Sequence, residues 1–416
     1  MHMTQDQTQS AQSPATLPAG TVVMQILPSL ISGGVEQGTI DLNAGLAKAG
    51  MKSIVVSNGG PRVYEITRAG GTHIELPVHA KNPVTMWLTS RKLRKLIVDH
   101  KVDVVHAASR VPAWIAKRAV EGTPAAFVTS CHSAHKIGNS LKRRYNAAIA
   151  SGSRVMAVSK YLAEYLRRNY DTAAEKISVI YRGLSLEGYH PTAVSAERLI
   201  AIARHMRVPD GAAVIMLPGR LTRGKGHIVL LHALARIKNR DALCLFVGSD
   251  AGQQNYRREL EKEIARLGLE GQTRIVTDCP DLPAAYMLAT VVACPSLVAE
   301  GFGRTSVEAQ AMGRPVIAAR NGGLPETLVD GETGWLVPPD DAGALAEALD
   351  RALSLSGEDR AALATRAMSH VAAHFTNARM CALTFAVYAD ALAEKRTQMQ
   401  AAQAAAQKPA KKTKAA

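Results

Sequence analysis

The chain of 416 residues is poor in aromatics, which make up 4% of it, and it holds only five cysteines. So few rings leave little to stack on bases, which counts against a single-strand nucleic-acid binder. Cys131, Cys244, Cys279, Cys294 and Cys381 stand far apart, with no paired spacing for a zinc site or a disulfide framework. A reducing cytosol is the compartment this usage implies. No apolar run approaches the roughly 20 residues that span a bilayer. The opening MHMTQDQTQSAQSPATLPAG lacks the basic start and apolar stretch of a secretory signal. Residues 1–20 therefore read as a disordered tail. The fingerprint G-x-G-x-x-G does not follow the first strand, which disfavours NAD.

What is present is basic. The net charge is +15, and from Arg91 to Arg182 there are 18 Lys and Arg against 6 Asp and Glu. A one-sided field of that size points to an anionic partner, whether a nucleic acid, a membrane surface or a phosphorylated substrate, although general basicity also serves solubility.

The length predicts two domains. TVVMQILPSL reads as a strand, the glycines after it as a loop, and Ile40, Leu42, Leu46 and Ala47 carry helical spacing. The unit recurs with strands SIVVSN, VDVVHA, AAFVTSC, RVMAVS and ISVIY, between which WLTSRKLRKLIVDH and KYLAEYLRRNY have helix length. The pattern lapses over residues 191–210 and restarts with AAVIMLPGRL, LCLFVGS, TRIVTD, VVACPS, PVIAA and GWLVP. Alternating strands and helices imply parallel sheets covered on both faces. The expectation is an α/β chain of two Rossmann-like doubly wound domains, 21–194 and 195–375, facing across a cleft. Beyond them lie a helix at 376–400, able to pack back on the first domain, and a disordered basic tail at 401–416.

Ligands of such sheets bind beyond the carboxyl ends of the strands. Gly33 and Gly34 close the first strand and open a helix, so they either let amides approach a phosphate or simply make a tight turn. In LPGRLTRGKGH, Arg220, Arg223 and Lys225 stand among Gly219, Gly224 and Gly226, and such a loop can hold phosphate oxygens. In PSLVAEGFGRTSVEAQAMG, Thr305 or Ser306 can cap a helix, with Glu300 in the loop before it and Glu308 about one turn inside. Both carboxylates can then face one ligand.

These stretches together resemble the retaining GT-B glycosyltransferases of glycosyltransferase family 4. The resemblance rests on Glu300 and Glu308 within PSLVAEGFGRTSVEAQAMGRPVIAARNGGLPET, on GRLTRGKGH, on SGGVEQ, and on AVSKYLAEYL followed by VIYRGLSLEGYHP, and it covers residues 21–375. It implies a nucleoside diphosphate sugar as donor. Arg220 and Lys225 would bind its diphosphate, and Glu308 its ribose hydroxyls. Glu300 would lie by the transferred sugar, with amides near Phe302, Gly303, Arg304 and Thr305 on sugar or phosphate and with Gly33 and Gly34 closing the donor site. His132 in VTSCHSAHK, or else His135, would stand near the sugar. Retention through a carboxylate nucleophile is not implied for Glu300, since the family's usual proposal is departure and attack on one face. No Asp-x-Asp motif occurs in these segments, so metal independence and the absence of a cofactor are expected. The chain departs from the family where RGLS, residues 182–185, replaces Asn-Gly-Val-Asp and VGSDAG replaces Gly-x-Gly.

The acceptor expectation follows from charge. SRKLRKLIVDHK can present Arg91, Lys92, Arg94 and Lys95 while Leu93, Leu96, Ile97 and Val98 pack inward, and LKRRYNAAI adds Lys142, Arg143 and Arg144. Anionic lipids attract such clusters. The resulting picture is a cytoplasmic enzyme, peripheral on the inner membrane, acting on a lipopolysaccharide core or another lipid-linked envelope glycan. The alternatives are a soluble transferase making a disaccharide, polymer or small glycoside, and an inactive transferase fold that binds anionic membranes or nucleic acid.

Overall fold

The computed structural model describes residues 17–31 and 33–406. Thus residues 1–16 of the expected N-terminal tail and 407–416 of the C-terminal one lie outside it. The strands are β1 (Val22–Ile26), β2 (Lys52–Ser57), β3 (Thr72–Glu75), β4 (Val104–Ala107), β5 (Ala126–Cys131), β6 (Arg154–Ala157), β7 (Ile177–Val179), β8 (Val214–Pro218), β9 (Leu243–Val247), β10 (Thr273–Val276), β11 (Val291–Cys294), β12 (Val316–Ala319) and β13 (Trp335–Val337). One sheet has the order β3-β2-β1-β4-β5-β6-β7 and the other β10-β9-β8-β11-β12-β13. The pairings of β1 with β2 and β4, and of β8 with β9 and β11, are parallel. Each order doubles back beside its first strand, which is the doubly wound arrangement.

Compactness divides the chain into one unit of residues up to Ser130 with Arg144–Met156 and everything from Cys381, and a second of Cys131–Arg143 with Ala157–Met380. The long C-terminal helix Asn377–Ala406 therefore begins in the second unit and serves the first for most of its length. Within the first unit Cys381 lies so close to Gly45 that a Cβ there would strike its sulfur. Further along, the Tyr388 hydroxyl meets His106 Nδ1 at 2.8 Å, and His106 Nε2 meets Ser130 Oγ at 3.0 Å. Tyr388 is fully buried, so its hydroxyl must find such a partner to avoid an unmet polar group.

Two elements escape the sequence pattern. β3, Thr-His-Ile-Glu, is only half-buried, so it carries no apolar run. The helix Ala196–His205 occupies the stretch where the pattern lapses, and its Ile202 and the C-capping Met206 are buried in the same core as Tyr286 and Leu245. Among the described residues no helix is long and apolar enough to cross a membrane.

Candidate active site

In the second unit β8 and β11 are neighbours, and the chain leaves their carboxyl ends in opposite directions. In doubly wound sheets such a switch point is where ligands bind. The loop after β8 carries Arg220, exposed and without a hydrogen bond or ion pair among the described residues, and then a short turn, Arg223–Lys225. Gly226 ends the turn at φ +79, in the left-handed region, and a Cβ there would run into the Pro295 carbonyl at the end of β11. Leu297 N donates to the Gly224 carbonyl at 2.9 Å. The two loops are thus stitched together through backbone. Arg223 turns aside, pairing with Glu259 and lying over the Tyr256 ring at 5.2 Å. His227, wholly buried behind Gly226, has its pKa pushed down to about 4 by burial and packs edge-on to Phe246 at 4.9 Å.

Lys225 and Glu300, expected to serve different parts of a donor, are in direct contact. Lys225 Nζ donates to Glu300 Oε1 at 2.8 Å, and Ser296 Oγ donates to the same oxygen. The Glu300 backbone is held as firmly. Its carbonyl accepts from Gly323 N at 2.8 Å, and it forms a parallel bridge with Gly322. Gly322 has φ +62, and a Cβ there would collide with the Glu300 backbone. A side chain on Gly301 would strike the His132 carbonyl. The glycines around Glu300 are therefore there for close approach: three segments meet at a distance that leaves no room for Cβ atoms.

The helix Arg304–Ala311 is capped by Gly303 at φ +115, with no side-chain cap. The expected cap at Thr305 or Ser306 is corrected by this. Both lie inside the first turn, Thr305 Oγ1 against Cys294 Sγ at 3.5 Å and Ser306 Oγ accepting from Thr327 Oγ1 at 2.8 Å. Gly303 supplies no side-chain cap, so the first turn, from Arg304 and Thr305 onward, presents a helix N-terminus suited to an anion. Phe302 is buried and stacked on Tyr181 at 5.9 Å.

Glu308 is 5% exposed, so an ionised carboxylate there requires partners. Arg304 Nε donates to Oε1 at 2.7 Å and the Tyr286 hydroxyl to Oε2 at 2.9 Å. Burial, with the neighbouring Glu308 charge, raises the Tyr286 pKa well above its ordinary value, so the phenol stays a donor. Tyr286 carries no signal of this role in the sequence because it comes from a different helix, Leu282–Leu288.

His132 belongs to this unit, with Nδ1 at 3.0 Å from Arg182 Nη2. The His135 backbone is held instead by Tyr165, whose hydroxyl accepts from its N–H at 3.1 Å and donates to its carbonyl at 2.6 Å. Gly33 and Gly34 belong to the first unit. Gly33, at φ +143, caps the helix Gly34–Lys48, which also lacks a side-chain cap. Among the described residues no group of three or more His, Cys, Asp or Glu could hold a metal ion.

The basic residues are divided. Arg91, Lys92, Arg94 and Lys95 lie exposed on the helix Pro83–Asp99 of the first unit, to which Arg144 also belongs, whereas Lys142 and Arg143 fall in the second, where Arg143 pairs with Asp171 at 2.7 Å. Leu93 and Ile97 pack inward as expected, and Leu96 partly. Val98 does not: it is 59% exposed, as are Val84 at 65% and Leu88 at 48%. At 100° per residue Val98 falls on the Val84, Trp87 and Arg91 side of the helix, opposite Leu93. Arg91 lies over the Trp87 ring at 5.0 Å.

Two family models match the chain, Glycosyl transferases group 1 over residues 201–370 and Glycosyltransferase Family 4 over residues 32–187. A protein named D-inositol 3-phosphate glycosyltransferase, from Corynebacterium efficiens, is 30% identical over 91% of this chain and 84% of its own length. A solved glycosyltransferase from Rickettsia africae is 34% identical with a TM-score of 0.84, over 90% of this chain and 99% of that one. An Anabaena protein solved with UDP and glucose shares the fold at a TM-score of 0.76 and 21% identity, over 92% of this chain and 100% of its own.

Proposed function

Because this chain belongs to the group 1 glycosyltransferases of glycosyltransferase family 4, we propose that it moves a hexose from a nucleoside diphosphate sugar to an anionic acceptor with retention at the anomeric carbon. The observation that carries this reading is the meeting of Lys225 with Glu300 at the β8/β11 switch point, beside the glycine-capped helix that bears Glu308. Arg220 and Lys225 take up the charge of the departing diphosphate, so that no metal ion or other cofactor is required. Glu308 receives the ribose hydroxyls. Phe302, Gly303, Arg304 and Thr305 offer amides to phosphate or sugar. Glu300 already accepts two hydrogen bonds on Oε1, which stabilises its charge and weakens it as a nucleophile. That favours departure and attack on one face over the double displacement of retaining glycosidases.

For the acceptor we favour a lipopolysaccharide core or another lipid-linked envelope glycan, met by an enzyme peripheral on the anionic inner-membrane surface. Support comes from the helix Pro83–Asp99, which exposes Val84, Trp87, Leu88 and Val98 among Arg91, Lys92, Arg94 and Lys95. Trp and long basic side chains on one apolar face suit the headgroup level of a bilayer. The second reading is a small phosphorylated polyol. It is favoured by the name of the Corynebacterium relative and by a cavity of about 370 Å³ in the first unit, lined by His79, Lys81, Arg110 and Tyr145.

UDP-, GDP- and ADP-hexoses are supplied in turn with EDTA present, offering lipid-linked glycans in anionic vesicles or inositol phosphate in solution, and the product's anomeric configuration is read by NMR. One nucleotide should serve, with retention, and Lys225→Met should slow transfer about 100-fold or more. Vesicle-free transfer to inositol phosphate would select the second acceptor reading. No transfer from any nucleotide sugar, together with no nucleotide-induced thermal shift, would refute the transferase reading.

A further inference from the structure

We propose that Arg182 is a positioning residue that fixes the His132 imidazole as its neutral Nε2–H tautomer, so that His132 serves the site as a hydrogen-bond donor and not as a base through Nδ1. The inference rests on the transferase reading only for its kinetic consequence. A guanidinium can donate but not accept, and it stays charged. At 3.0 Å from Arg182 Nη2, Nδ1 must therefore be the bare nitrogen, and in a neutral ring the proton then sits on Nε2. Protonating Nδ1 would set two N–H groups and two positive charges against each other.

Arg182 is anchored on both sides. Before it, the Tyr181 hydroxyl donates to Glu326 at 3.0 Å and the ring stacks on Phe302. After it, Leu184 N donates to the Phe375 carbonyl at 2.8 Å, Asn377 N donates back to the Leu184 carbonyl at 3.1 Å, and Gly183 is packed so tightly on Asn377 that no Cβ would fit. His132 is anchored too, since its carbonyl lies against Gly301, one residue from Glu300. The carboxylates in these neighbouring segments have other partners. Glu326 accepts from the Lys160 and Tyr161 amides at 2.7 and 2.8 Å, and Glu300 accepts from Lys225. The Arg182 guanidinium lies against Nδ1 of the ring, and it stands where this chain departs from its family's Asn-Gly-Val-Asp. A fixed Nε2–H suits an oxygen acceptor, a hydroxyl or phosphate oxygen of the donor.

The test uses the full chain labelled with ¹⁵N-histidine, with His132 assigned by the resonances lost in His132→Gln. Wild type should show the Nε2-protonated pattern from pH 5.5 to 8. Arg182→Met should give mixed tautomers that titrate through the ordinary histidine range near about 6.5, while Arg182→Lys, whose ammonium also only donates, keeps the wild-type pattern. In transfer assays Arg182→Met should lower kcat about tenfold with an unchanged KM for the donor, Arg182→Lys should restore most of it, and adding Arg182→Met to His132→Gln should cost no more. A protonated Nδ1 in wild type, or an unchanged pattern in Arg182→Met, overturns the inference. Should Arg182→Met fail to fold, Arg182→Gln supplies the comparison. Absence of transfer in wild type would strike the transferase reading alone, because the spectra need no turnover.

Discussion

Tyr286→Phe removes one oxygen from a site that offers no easy replacement. Its hydroxyl reaches Glu308 Oε2 at 2.9 Å, and among the described residues its one other hydrogen-bond partner is the Thr305 carbonyl at 3.5 Å. Phenylalanine keeps the ring volume, so no cavity opens and the loss is the hydrogen bond alone. A bond to a charged group contributes about 1.5–3 kcal/mol. For a body of this size each kcal/mol lowers Tm by about 2–4 °C, so a fall of about 3–12 °C is expected. Glu308 would then hold its charge on Arg304 alone, and nucleotide affinity should drop about 5–10-fold, near 1–1.4 kcal/mol. Scanning calorimetry measures the first effect and titration calorimetry with the preferred nucleoside diphosphate the second. A double-mutant cycle with Glu308→Ala should return most of the single-bond energy as coupling. A Tm within about 1 °C of wild type and a coupling below about 0.5 kcal/mol would refute the reasoning.

Gly322→Ala meets both a left-handed φ of +62 and a collision with the Glu300 backbone, whereas Gly331→Ala, at φ +82, meets open space. The control should lose about 1–2 kcal/mol from backbone strain alone, and Gly322→Ala distinctly more, with transfer falling as Glu300 shifts; equal losses in denaturant unfolding would contradict this. Burial has pushed His227 down to about 4 from an ordinary 6.5. The unfolded chain therefore binds the extra proton first, so the stability from keeping this ring neutral is whole above pH 6.5 and is lost as pH falls toward 4. Between pH 7 and pH 4 wild type should lose about 3 kcal/mol more than His227→Phe, and parallel curves would show that the ring does not titrate as argued.

Much of the fold can be read from the sequence because twelve of the thirteen strands lie in short stretches centred on Val, Ile, Leu or Ala. β3 does not, being half-buried with polar residues at both ends. The site is legible as residue types and illegible as partnerships. Lys225 and Glu300 are 75 positions apart and meet only because β8 and β11 are adjacent, an order that periodicity does not encode. Tyr286 reads as one more apolar position in Leu-Pro-Ala-Ala-Tyr-Met-Leu, and its hydroxyl acquires meaning only once Glu308 is beneath it. Val98 was misplaced because it adjoins Ile97 in sequence, whereas on a helix the next residue turns 100° away.

The last helix also sets a schedule. Tyr388 supplies the buried partner of His106, and Cys381 fills the space beside Gly45, yet the rest of that unit is synthesised by Met156. At about 5–20 residues per second, a ribosome needs on the order of 10–50 s to travel from there to the end of the helix. Throughout that interval the nascent first unit exposes the apolar groove that the helix will cover. Chaperone demand, and sensitivity to premature termination, should therefore concentrate at the end of translation, and a chain cut between the two sheets would release a first half still lacking a part of its own core.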